Sequence, residues 1–109
     1  MSGRVHVCFE CGETTDRNGD FCSATCRYAF NNRRKLRGAE IIDLYMAYRF
    51  ERQLAQQLGL WQAIHRMISN FRAEDVVERQ GRKSWRDPRL IMEERPYLKA
   101  VATRVRAGR

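Results

Sequence analysis

The sequence predicts a small, mostly helical α+β chain. Its N-terminal unit is a metal-stapled knuckle, short β-hairpin and helix; a helical hairpin and a short basic C-terminal segment follow. Three observations carry this. All four cysteines stand in the first quarter as two close pairs, Cys8-x2-Cys11 and Cys22-x3-Cys26. Apolar residues recur at three- and four-residue spacings from Ile41 to Phe71, the period of an amphipathic helix. The formal charge of +8 is concentrated at the two ends of the 109-residue chain. So short a chain buries a modest share of its surface, and a metal or an oligomer contact adds stability that the core alone lacks.

The first element is the cysteine unit. Four thiolates can surround zinc tetrahedrally, and two close pairs joined by a short excursion is the spacing that structural sites use. Gly12 follows Cys11, where a tight turn needs a residue that tolerates unusual backbone angles. Asn18-Gly19 between the pairs signals a two-residue hairpin turn, with Thr14, Thr15 and Phe21 as strand material. Ser23 is placed to cap a helix whose first turn carries Cys26, where the helix N-terminus favours a thiolate. A thioredoxin-like redox pair would need one C-x-x-C in a βαβ setting, which is absent here. The four cysteines close the metal shell, leaving His6 to the surface or to a supporting position, so one structural Zn2+ is expected and a catalytic zinc is not. Binding of this kind stabilises a small unit by on the order of 10 kcal/mol.

A knuckle, a hairpin and a ligand-bearing helix start together make a treble-clef arrangement. The pattern of Cys8, Cys11, Gly12, Phe21, Cys22, Ser23, Cys26 and Arg27 resembles the FCS-type zinc fingers, a treble-clef group related to the MYM and TRASH fingers. The resemblance covers residues 5–37. It implies a zinc-binding finger of a kind linked to nucleic-acid binding, protein contacts and metal sensing.

The helix begun at Ser23 is expected to run to Arg37 and stop at Gly38. Arg27, Asn31 and Arg34 fall on one stripe, with Phe30 and Arg37 beside it. Arginine and asparagine can grip phosphate and read base edges; the plainer alternative is a solvated basic face. Phe30 is expected to pack on the finger. From Ala39 an amphipathic helix leads to a stop at Gly59, and a second helix follows through Trp61, Ile64, Met67, Ile68 and Phe71. Residues 72–81 either continue it or form a short third helix ending near Gly81. Tyr45, Tyr48, Phe50, Trp61 and Phe71 are expected to form the core of this pair, and His65 to be a partly buried structural histidine. The pair folds back within the chain or dimerises; sequence does not separate these.

The last element opens on Arg82, Lys83 and Arg86 around Trp85, a ring placed either to stack on a base or to close the helical core. Asp87-Pro88 then starts a short helix, and Pro96 either breaks it or begins another turn. Lys99, Arg104, Arg106 and Arg109 make the end either a phosphate-binding arm or a frayed terminus. The expected division is 1–38, 39–81 and 82–109, with seven basic and four acidic groups, five and six, and nine and three respectively.

The basic ends point to nucleic acid, DNA ahead of RNA. The expected contacts are Arg27, Asn31, Arg33, Arg34, Lys35, Arg37, Arg82, Lys83 and Arg86, and the expected role is that of a small DNA-binding transcriptional regulator of bacterial type. The alternative is a zinc-stapled adaptor that docks a protein partner, or a second copy, through residues 41–71. No nucleophile–base pair, carboxylate dyad or P-loop motif is present, so no enzymatic activity is expected. The N-terminus lacks the apolar stretch of a signal peptide and no long apolar run exists, so a cytoplasmic location away from membranes is expected.

Overall fold

The computed structural model describes residues 6–15 and 19–99. Two short strands, β1 (His6–Val7) and β2 (Thr14–Thr15), pair antiparallel with His6 opposite Thr15. Four helices follow: α1 (Ala24–Phe50), α2 (Arg52–Leu58), α3 (Leu60–Glu78) and α4 (Pro88–Glu94). Among the described residues, no helix is long and apolar enough to cross a membrane.

The hairpin closes in a different place from the one the sequence suggested. Thr14 and Thr15 pair with His6 and Val7, so the turn is the Cys8–Glu13 segment itself. Its backbone shows why. The Cys8 amide donates to the Glu13 carbonyl at 3.0 Å and the Gly12 amide to the Cys8 carbonyl at 3.0 Å, with Gly12 at φ 79°. Asn18 lies outside the described residues, and Phe21 is not in a strand. Instead Phe9, Phe21 and Phe30 form a triangle with centroid separations of 5.3–6.0 Å. Phe30 therefore packs on the finger as its position implied, and it is buried.

The second correction concerns Gly38. It does not end the first helix; α1 runs through it for 27 residues, about 40 Å at 1.5 Å per residue. An interior glycine costs only about 1 kcal/mol against alanine, and no proline or left-handed backbone interrupts the run. The boundary between residues 38 and 39 thus falls inside one helix. The actual bend is at Glu51, where neither glycine nor proline marks it, and it separates α2 from α1. Gly59 does act as a stop, in the left-handed conformation at φ 66°. α3 then folds back on α1 and continues to Glu78, so residues 72–78 extend the second helix.

Little of this surface is enclosed. The buried apolar residues are Cys8, Phe30, Ala55, Leu60 and Ile64. The expected aromatic core is only partly formed: Tyr45, Phe50 and Trp61 are exposed, because two helices side by side cover one face and leave the other open. His65 is exposed as well, edge-on to Trp61 at 4.2 Å. The molecule extends 57 × 35 × 18 Å with a radius of gyration of 17.8 Å, against about 13 Å for a globular chain of this size. Asp87 caps α4 by accepting from the Arg89 amide at 2.9 Å, with Pro88 next, as the sequence indicated. Arg104, Arg106 and Arg109 lie outside the described residues.

Candidate metal centre

The knuckle brings Cys8 and Cys11 to one side, and Phe9 anchors the returning chain by donating its amide to the Asp20 carbonyl at 2.9 Å. That contact delivers Cys22 to the start of α1. Ser23 caps the helix, its Oγ accepting from the Cys26 amide at 3.2 Å. All four sulfurs lie within 4.8 Å of one another. Cys11 and Cys22 are 3.7 Å apart and Cys22 and Cys26 3.6 Å, far beyond the roughly 2 Å of a disulfide. A tetrahedron of thiolates about 2.3 Å from zinc has an edge of about 3.8 Å, so these separations fit a single ion. The sequence-predicted ligand set is thus brought together complete.

The electrostatics differ between Cys8 and Cys26. Burial alone would push Cys8 up, but backbone amides of Cys11, Cys22 and Glu10 directed at its sulfur outweigh that and bring it down to about 6. Cys26 is pushed up to about 12, by burial first and then by the Cys22 sulfur beside it. Its first-turn position does not offset those two effects without a metal. A bound Zn2+ would supply the charge that lets four adjacent sulfurs ionise together, holding the knuckle to the helix start.

The knuckle is also bolted to the far end of the helical hairpin, through Glu10 and Arg79, which sequence reasoning did not single out, and through Arg33 and Arg82, which it assigned to nucleic acid. Glu10, between the first two ligands, accepts a forked pair from Arg33 on α1 at 3.0 and 2.7 Å, and Arg79 reaches it at 2.8 Å. Arg79 caps α3 and is only 4 % exposed. Its guanidinium donates to the carbonyls of Phe9, Glu10, Arg82 and Lys83 as well. Arg82 adds a further bond to the Glu10 carbonyl at 3.1 Å. Burial would raise the Glu10 carboxyl; Arg33 and Arg79 outweigh it and hold it below the usual range. Beside this hub Asp75, also buried, accepts from Ser84 at 2.9 Å and pairs with Arg37 at 3.1 Å. A basic residue near Gly81 reads in sequence as a helix-end charge, and nothing local says which acid it meets.

The nine residues expected at nucleic acid are distributed unevenly. Arg33, Arg37 and Arg86 are in ion pairs, with Glu10, with Glu74 and Asp75, and with Glu94. Arg82 is turned to the Glu10 carbonyl and Gln80. Arg34 bonds Asn31 at 2.7 Å and lies over Phe30. Arg27 and Lys35 are exposed, and Lys83 is exposed beside the Trp85 ring. Five of the nine, Arg33, Arg34, Arg37, Arg82 and Arg86, are thus engaged with groups of the chain itself. Comparison of the chain with protein-family models, with curated proteins and with solved structures finds no match. The reading of the site rests on its own geometry and donor chemistry.

Proposed function

We propose that this chain is a zinc-stapled association module, a treble-clef finger of FCS type whose metal is structural and whose helical arm docks another protein surface. The observation that carries this is the apolar face the arm leaves open. Ile42, Tyr45, Met46 and Phe50 recur along α1 at helical spacing and are 43–67 % exposed; Leu54 and Leu58 on α2 and Trp61 on α3 are exposed too. Soluble chains rarely leave so many large apolar side chains in one arm uncovered, and such faces mark contact sites. A handful of such side chains supplies most of the binding energy of an interface. A second copy is the partner tested most directly. Sedimentation of the zinc-loaded chain across a hundredfold range of concentration should show self-association that Met46→Glu/Phe50→Glu abolishes without loss of helicity. A monomer throughout, in parent and variant alike, counts against self-docking.

A second reading, nucleic-acid contact, is favoured by one feature. Trp85 and Phe9 line an open groove of about 760 Å³ with Arg82, Lys83 and Arg89, the pairing of aromatic rings and cations that suits stacked bases and phosphate. Arg27 and Lys35 on α1 are further exposed cations. This reading requires affinity for an oligonucleotide that falls steeply with salt, about 0.7–0.9 log units per phosphate contact for each log unit of salt. It also requires that Lys83→Ala and Trp85→Ala weaken binding. Salt-independent or absent binding at low ionic strength removes it.

A further inference from the structure

A cleft of about 460 Å³ lies between α1 and α3, apart from both the metal centre and the open apolar face just described. Its α1 wall is Arg34, Arg37, Gly38 and Ile41; its α3 wall is Ile68, Phe71, Arg72 and Asp75; Ser84 and Trp85 close the end. Each wall repeats the offsets 0, 3, 4 and 7, one helix face against another. Gly38 makes the space: a Cβ built there would meet nothing within 4 Å. The volume falls in the range of small-molecule sites, which are mostly apolar with a few directed polar groups.

Those polar groups are unbalanced. Three guanidinium groups line the cleft against one carboxylate, and that carboxylate, Asp75, is already held by Arg37 and Ser84. Arg72 lies over the Trp85 ring and gives one nitrogen to the Gly81 carbonyl at 3.2 Å. Its other terminal nitrogen, Nη1, is shut from solvent and has no hydrogen-bond partner. A buried N–H without an acceptor is unfavourable, and an orphan of this kind beside a cleft calls for an acceptor. A neutral apolar ligand would strip water from the arginines and return nothing; an anion would pair with them.

We propose that the cleft binds a small amphiphilic acid, its aliphatic or aromatic body between Ile41, Ile68, Phe71 and Trp85 and its carboxylate at Arg72 and Arg34. The test is an amide- and indole-resolved NMR titration of the full zinc-loaded chain with decanoate, below its micelle concentration. Decanol and decyltrimethylammonium serve as the neutral and cationic arms. Decanoate should give saturable shifts confined to Gly38, Ile68, Phe71, Arg72 and the Trp85 indole, with the other two at least about tenfold weaker, the size of one lost charged hydrogen bond. Arg72→Gln should weaken decanoate about tenfold or more by the same measure. Gly38→Leu, which fills the space and leaves every arginine of the cleft in the sequence, should abolish binding and provides the answer if the arginine variant does not fold. Equal binding of all three amphiphiles, shifts spread along Tyr45, Met46 and Phe50, or undiminished binding by Gly38→Leu would each overturn the proposal.

Discussion

Arg79 shows how one side chain can join two parts of a chain that are 70 residues apart. It is buried, which lowers its pKa together with the repulsion from Arg33, yet it stays charged because Glu10 and four carbonyls accept its protons. Replacing it would leave the Glu10 carboxylate with one partner and several carbonyls with none. Arg79→Met should therefore cost about 3–5 kcal/mol of unfolding free energy, measured by denaturant titration of the zinc-loaded protein. Arg79→Lys should recover less than half of that, since an ammonium cannot reproduce the planar fork. Full rescue by lysine would mean that charge alone matters. Asp75 makes a prediction about pH. Burial would raise its carboxyl, but Arg37 and Ser84 outweigh burial and lower it. A carboxyl lowered on folding adds stability that is complete above its unfolded pKa, about 3.9, and is lost as pH falls through the folded value. The gap between parent and Asp75→Asn should be widest at neutral pH and narrow steadily as pH falls below about 4, measured by denaturant titration. A gap independent of pH would show that the ionic form is not what matters.

Helix α1 illustrates how local signals compete. Ser23 sets its start in sequence and in structure alike, but Gly38 resembles a stop and is not one. A glycine ends a helix when the chain beyond it must turn, and here residues 39–50 are themselves good helical sequence that packs against α3. The penalty of about 1 kcal/mol is absorbed by that packing. Because a Cβ at Gly38 meets nothing, Gly38→Ala should stabilise the protein by about 1 kcal/mol, read as a rise in thermal midpoint at unchanged helicity. A destabilised alanine variant would show that the glycine is needed for a close approach or a bend. The hairpin teaches the converse lesson. Asn18-Gly19 is the stronger turn signal by composition, yet the pairing partner of Thr14–Thr15 is His6–Val7, since the ligand spacing of Cys8 and Cys11 already reverses the chain.

Across the described residues, the candidate metal centre and the helical hairpin are tied together, because the knuckle carbonyls of Phe9 and Glu10 are what Arg79 holds. Removing zinc should loosen both. Hydrogen exchange after chelation should speed up at the first turns of α1 and also at the last turn of α3, around Asp75–Arg79, while the α2 region keeps its protection. Unchanged exchange at the end of α3 would show that the latch holds without metal. The sequence alone determined the four cysteines that cluster as a candidate metal site, the Ser23 and Asp87 caps, the Gly59 stop and the amphipathic helical pair. Each of these depends on residues a few positions apart, so spacing and local chemistry suffice. Only the tertiary structure decided which acid each arginine meets, that α1 passes through Gly38, which aromatic rings stay exposed, and that a cleft opens between the two helices. Those outcomes depend on partners tens of residues away, brought together by packing, and no local pattern encodes the pairing of Glu10 with Arg33 and Arg79.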